Sequence, residues 1–178
     1  MKPAVRVLTW VLIVGMNMGL ILYSGWEIVQ AVEPTAGTWS GGGAIGFLAN
    51  TPDDTAFAFN LNADRFFTRE FSVGPLLQLG FTGDMNQVGF SGQGKYWIDL
   101  PETNNRVKLV LQGGLGFIHS DFFRDDTSWL IPIGVGLDYA VNQNVSLTTN
   151  FLLNFTDLDT GAGTGANVMP GLTFGVRF

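Results

Sequence analysis

Three stretches of the chain carry residue types that could do chemistry. His119-Ser120 places the only histidine beside a serine. Histidine is the general base that suits neutral pH, and a hydroxyl it activates is a nucleophile for acyl transfer. Adjacent residues on a strand point to opposite faces, so the pair is expected to diverge, and no catalytic residue is assigned. Asp157-Leu158-Asp159-Thr160-Gly161 offers carboxylate oxygens that suit calcium or magnesium. The remaining ligand positions of a calcium loop are missing, so these carboxylates are read as solvated and no metal site is assigned. Gly161-Ala162-Gly163-Thr164-Gly165 lacks the Gly-Lys-Ser/Thr ending of a phosphate loop and is expected to be an outer loop. There is no cysteine, which excludes disulfides, cysteine-ligated metals and a lipidated N-terminus. No cofactor is implied.

The elements that position these residues follow from hydropathy. Lys2 and Arg6 precede an uncharged apolar run from Val7 to Tyr23, and Val29-Gln30-Ala31 supplies small residues at −3 and −1 of a cleavage site. Residues 1–31 are therefore expected to be a secretory signal peptide, the run lying at the short limit for a membrane helix. Residues 32–178 make one domain. Seven basic and fourteen acidic residues follow Ala31, a net charge of −7. That excludes nucleic acid as a partner, because phosphate binding needs a basic surface. Only 13% of residues are charged, against about 25% in an ordinary soluble domain.

After residue 31 the chain alternates with period two in eight segments of about ten residues, the length of a tilted membrane strand. They lie near Trp39–Ala49, Thr55–Asp64, Phe71–Phe81, Val88–Ile98, Val107–Phe117, Trp129–Tyr139, Val145–Phe155 and Val168–Phe178. One face of each is aromatic and aliphatic. The other is mainly Gly, Ser, Ala, Asn, Gln or Thr. An eight-stranded barrel has an interior just wide enough for side chains, so the small polar face must point inward. The large apolar face points outward and needs lipid, where only a closed barrel pairs every backbone group. The expected fold is all-β, an eight-stranded antiparallel up-and-down transmembrane barrel.

With periplasmic termini, the outward aromatics sort into two girdles. Trp39, Phe71, Tyr96, Tyr139 and Phe178 fall near the periplasmic rim, and Phe47, Phe57, Phe81, Phe90, Phe117, Trp129 and Phe155 near the outer rim. Five charges fall on the inward face toward the periplasmic end: Asp64, Lys95, Lys108, Asp138 and Arg177. Lys95 and Lys108 are expected to face each other, with Asp138 beside Lys108 and Trp97 just below. Charges out of bulk water need partners, so this layer reads as an electrostatic plug, with a charged constriction as the alternative. The expected outer loops carry Asp53, Asp54, Asp84, Asp121, Asp125, Asp126, Asp157 and Asp159 against Arg124.

Gly41-Gly42-Gly43, Gly94-Lys95-Tyr96, Gly113-Gly114-Leu115-Gly116, Gly134-Val135-Gly136-Leu137-Asp138-Tyr139 and the terminal Phe178 resemble the small outer-membrane β-barrel family of OmpA-like and opacity-type proteins. The resemblance spans residues 32–178. It implies that Pro170, Leu172, Phe174, Val176 and Phe178 serve recognition by the barrel-assembly machinery. It also implies outer-membrane lipid and lipopolysaccharide as surroundings, in a Gram-negative envelope. Lipid A deacylases of this architecture separate His and Ser by one residue, unlike His119-Ser120. The expected function is a monomeric structural or interaction barrel that presents short acidic loops. A narrow passive channel is the alternative, and a lipid A-modifying enzyme the remote one.

Overall fold

The computed structural model describes residues 34–103, 106–161, 163 and 165–178. The expected signal peptide lies outside the described residues. The strands are β1 (Trp39–Thr51), β2 (Asp54–Phe66), β3 (Phe71–Phe81), β4 (Asn86–Asp99), β5 (Val107–Asp121), β6 (Asp126–Ala140), β7 (Ser146–Asp159) and β8 (Gly165–Arg177). Each pairs antiparallel with its sequence neighbours, and β1 pairs with β8, so the sheet closes into a barrel. A 3-10 turn, Pro101–Thr103, lies in the β4–β5 connection.

The strands run longer than the alternation alone predicts, and the extra residues fall mostly at the end opposite the termini. There Asp54, Asp121, Asp126, Asp157 and Asp159 belong to strands rather than to the expected loops. The cause is that ladder pairing continues past the last apolar residue: Gln87 still opposes Ser120, and Ser120 opposes Asp126. The β1–β2 connection is tight, with Asn50 and Asp54 at φ of 56° and 62°. Asn and Asp are the non-glycine residues that best tolerate this left-handed region.

Opposing residues traced from Trp39 pass through Arg65, Val73, Gly94, Gly113, Ile133 and Leu153 to Pro170. Its neighbour Gly171 opposes Leu48. One circuit therefore climbs from the first residue of β1 almost to its last, the stagger that tilted strands need for closure. The inward positions curve so tightly that a Cβ at Gly46 would lie 2.0 Å from the Leu172 carbonyl oxygen, and one at Gly116 equally close to that of Phe90. Glycine at these positions is a requirement of barrel curvature.

Candidate functional site

Among the described residues, polar and charged side chains converge away from the surface in the barrel interior. Near the termini, Lys95 Nζ donates to Asp64 Oδ2 at 2.8 Å, and Asn62 donates to the same oxygen. Arg177 grips Asp138 with two parallel bonds, Nε to Oδ2 at 2.7 Å and Nη2 to Oδ1 at 2.9 Å. Nη2 also donates to Ser146 Oγ, and the remaining nitrogen, Nη1, reaches Ser40 Oγ. The guanidinium also lies 5.2 Å from the centre of the Trp97 ring. Trp97 donates to Ser72 Oγ at 2.9 Å and packs on Phe66. Ser40 Oγ in turn donates to the Phe178 carbonyl. The β1–β8 seam, the chain terminus and the charge network thus share one set of hydrogen bonds.

All five charges named from the sequence sit on this inward face, but their pairing differs from expectation. Lys95 opposes Gln112, not Lys108. Lys108 opposes Asp99 on one side and Asp138 on the other, and its ammonium pairs with Asp99. The tilt of the strands slides β5 past β4, so the two lysines lie at different heights. Asp99 also binds Arg69 from the β2–β3 turn. Asp99 shares inward parity with Lys95 and Trp97, a signal the sequence does carry. Arg69 lies outside the alternation and carries none.

Above this layer lies a belt of amides and hydroxyls. Gln112 donates to Asn150. Gln93, Gln78 and Asn60 carry buried polar atoms without a protein partner. Buried groups of this kind take up internal water. Cavities of about 40 Å³ and about 10 Å³ adjoin them, room for a few waters.

The third of the interior nearest the loops holds an apolar cluster, which the small polar face does not predict, interspersed with buried Gln87, Ser120, Asn154 and Thr156. Leu48, Met85, Ile118, Leu130, Leu158 and Met169 pack there with three alanines, and Phe122 leans on them from the β5–β6 connection. Leu130 and Met169 are fully buried. Three of the cluster's larger residues follow an outward aromatic directly: Phe47-Leu48, Phe117-Ile118 and Trp129-Leu130. Consecutive apolar residues on a strand mark burial on both faces, so the signal was present. Met85 folds in from the β3–β4 turn and left no such mark.

The remaining residues fall as follows. Trp39, Phe47, Phe57, Phe71, Phe81, Phe90, Tyr96, Phe117 and Trp129 are exposed on the outward face, with Tyr139 and Phe155 half-buried among their neighbours. Phe47 meets Phe57 edge-on, and Phe90 meets Phe117. Leu172, Phe174, Val176 and Phe178 are exposed and Pro170 is half-buried. Ser120 is fully buried and faces the interior, whereas His119 is exposed and its Nδ1 contacts Thr127 Oγ1 at 2.8 Å. The two side chains sit on opposite sides of the barrel wall. Among the described residues no three His, Cys, Asp or Glu side chains converge as a metal site.

The architecture is that of the small outer-membrane β-barrels. Neisserial surface protein A matches with a TM-score of 0.56 at 21% identity, over 78% of this chain and 94% of that one. The N-terminal β-barrel domain of Pseudomonas aeruginosa OprF matches with a TM-score of 0.53 at 14% identity, over 78% and 97%. No family model and no curated protein matches the chain.

Proposed function

We propose that this chain is a monomeric structural and interaction barrel of a Gram-negative outer membrane, with a closed lumen and periplasmic termini. The carrying observation is that two chemistries fill the interior at two heights. The Arg177–Asp138 and Lys95–Asp64 pairs lie near the termini, and the Leu130–Met169 cluster lies near the loops. A charged layer repels apolar solutes, and a layer packed around an apolar cluster offers little solvation to ions. Placed in series they leave no route for either. This arrangement supports a plug over the narrow-channel alternative, since the cavities between the layers hold only about 40 Å³ and about 10 Å³.

The membrane setting is supported by the outward aromatics, which would be a costly surface in water, and by the absence of an open sheet edge. Their two bands fit girdles at two interfaces. Alternating Pro170, Leu172, Phe174, Val176 and Phe178 fit a segment read by the barrel-assembly machinery. The acidic rim at the far end suits divalent cations shared with lipopolysaccharide phosphates. A non-enzymatic role is supported by the separation of His119 from Ser120.

Planar-bilayer recording tests the closed lumen. The wild-type protein should give no long-lived channels. Large, stable conductance that is unchanged in Lys95→Ala would overturn the reading.

A further inference from the structure

We infer that the outward face of β1–β4 seats one phospholipid of the leaflet on the terminus side, its phosphate on Arg65 and one acyl chain in the adjoining groove. The inference rests on the membrane-spanning reading above. A groove of about 360 Å³ lies on this face, floored by Gly41, Ala63 and Pro75 and walled by Leu61, Leu77 and Phe90. Its floor follows a single row of the sheet, since Gly41 opposes Ala63 and the β2–β3 register, with Asn62 opposite Leu76, brings Pro75 level with Ala63. Rows in this barrel climb from β1 toward the loop end. The groove therefore rises from the rim at Phe178 toward mid-height, the path an acyl chain takes from a headgroup.

The barrel itself does not ask for so bare a floor. A Cβ at Gly41 would make only ordinary contact with the Phe178 ring, at 3.4 Å, and one at Gly92, which borders the floor opposite Pro75, would meet nothing within 4 Å, unlike the inward glycines that curvature requires. Glycine inside a strand weakens it and often marks close approach by another molecule.

The charge at the groove's lower mouth selects the occupant. Arg65 lies two residues from Ala63 on the same face, opposite Trp39 and Val73. Among the described residues it is the one Lys or Arg on the outward face of the eight strands, and no carboxylate pairs with it. Its contact is the Phe67 ring, 5.9 Å from the guanidinium carbon. A guanidinium fork at interfacial height, with no protein counter-ion, matches a phosphate diester in charge and geometry. The apolar groove beside it matches the chain attached to that phosphate.

Native mass spectrometry of the full protein extracted in mild detergent tests the seat. Phosphatidylglycerol and diacylglycerol with the same acyl chains are the probes. The wild type should retain one phosphatidylglycerol in preference to diacylglycerol. Arg65→Gln should reduce that retention about fivefold, the worth of one interfacial cation. Ala63→Leu, which fills the groove, should reduce retention of both lipids, with Gly41→Leu on the same floor as the substitute if Ala63→Leu does not fold. Equal retention of the two lipids by the wild type, or wild-type retention in both variants, would overturn the proposal. So would a dimer of this chain that Ala63→Leu dissolves, since a second copy would then fill the groove. Heat-modifiable gel migration separates the levels. A wild type that never forms a heat-modifiable barrel sinks the membrane reading, whereas a barrel that forms but binds no phosphatidylglycerol sinks the seat alone.

Discussion

Arg177→Met removes the cation that bonds both oxygens of the buried Asp138 carboxylate. Asp138 would keep a side chain only 3% exposed and lose both bonds from Arg177. Removing one partner of a buried pair costs about 3–5 kcal/mol, because the other charge stays buried and uncompensated. Lys108 opposes Asp138 and offsets part of that, so the low end, about 3 kcal/mol, is expected. The converse change, Asp138→Leu, should cost less, about 2 kcal/mol. The freed guanidinium keeps its stacking on Trp97 and its bonds to Ser40 and Ser146, and it borders a cavity of about 300 Å³ at the terminus end. The double variant Arg177→Met/Asp138→Leu leaves no orphaned charge. It should therefore be more stable than Arg177→Met alone, giving a coupling energy of at least about 2 kcal/mol. Equilibrium unfolding in guanidinium, followed by tryptophan fluorescence and by heat-modifiable migration, reads each corner of the cycle. In-vitro refolding keeps any effect on cellular assembly, next to Phe178, out of the measurement. If both single variants lose under about 1 kcal/mol and the double is their sum, the pair is a solvated one and contributes little to closing the interior.

Two further outcomes follow from the glycine and leucine positions. Gly46→Val should cost about 3 kcal/mol or prevent closure, since its Cβ would strike the Leu172 carbonyl across the β1–β8 seam. Gly92→Ala, in open space, should gain about 0.5–1 kcal/mol in the same guanidinium assay; equal effects at the two sites would contradict the curvature argument. Leu130→Ala should cost about 3 kcal/mol by opening a cavity in the apolar layer. In planar bilayers it should still conduct nothing, because the charged layer remains; adding Asp64→Ala and Lys95→Ala should bring conductance. Channels in Leu130→Ala alone would show that the two layers do not act in series.

What the sequence made legible, and what it did not, divides along physical lines. Period-two alternation fixes which face each residue takes, so the inward placement of Asp64, Lys95, Lys108, Asp138 and Arg177 was readable strand by strand. Alternation does not fix how far one strand slides along the next. That slide is set by tilt and closure, and it puts Asp99 rather than Lys95 opposite Lys108. The same gap hid Arg69, whose turn position belongs to no alternating pattern yet brings its guanidinium to Asp99. The apolar layer was obscured for a different reason. Leu48, Ile118 and Leu130 each sit beside an outward aromatic, and an apolar pair at the end of a lipid-facing strand is easily credited to lipid.

The order of the two layers along the barrel has its own logic. The Arg177–Asp138 pair and Lys108 line the cavity of about 300 Å³ at the terminus end, so their outer edges can keep some hydration. Moving two charges fully out of water costs several kcal/mol per ion, more than most pairs recover. At the loop end Leu130 and Met169 are fully buried, and Phe122 from the β5–β6 connection packs over their cluster. A charged pair placed under that cover would lose its remaining water, whereas Leu and Met gain from the same burial. The amide belt between them spans the change in polarity, and its unpartnered atoms fall where the small cavities do. Exchanging the layers, with leucines at the terminus end and the ion pairs beneath Phe122, should therefore give a less stable barrel of identical composition. Guanidinium unfolding of such a layer-swapped chain would reverse this reasoning if the swapped barrel proved the more stable.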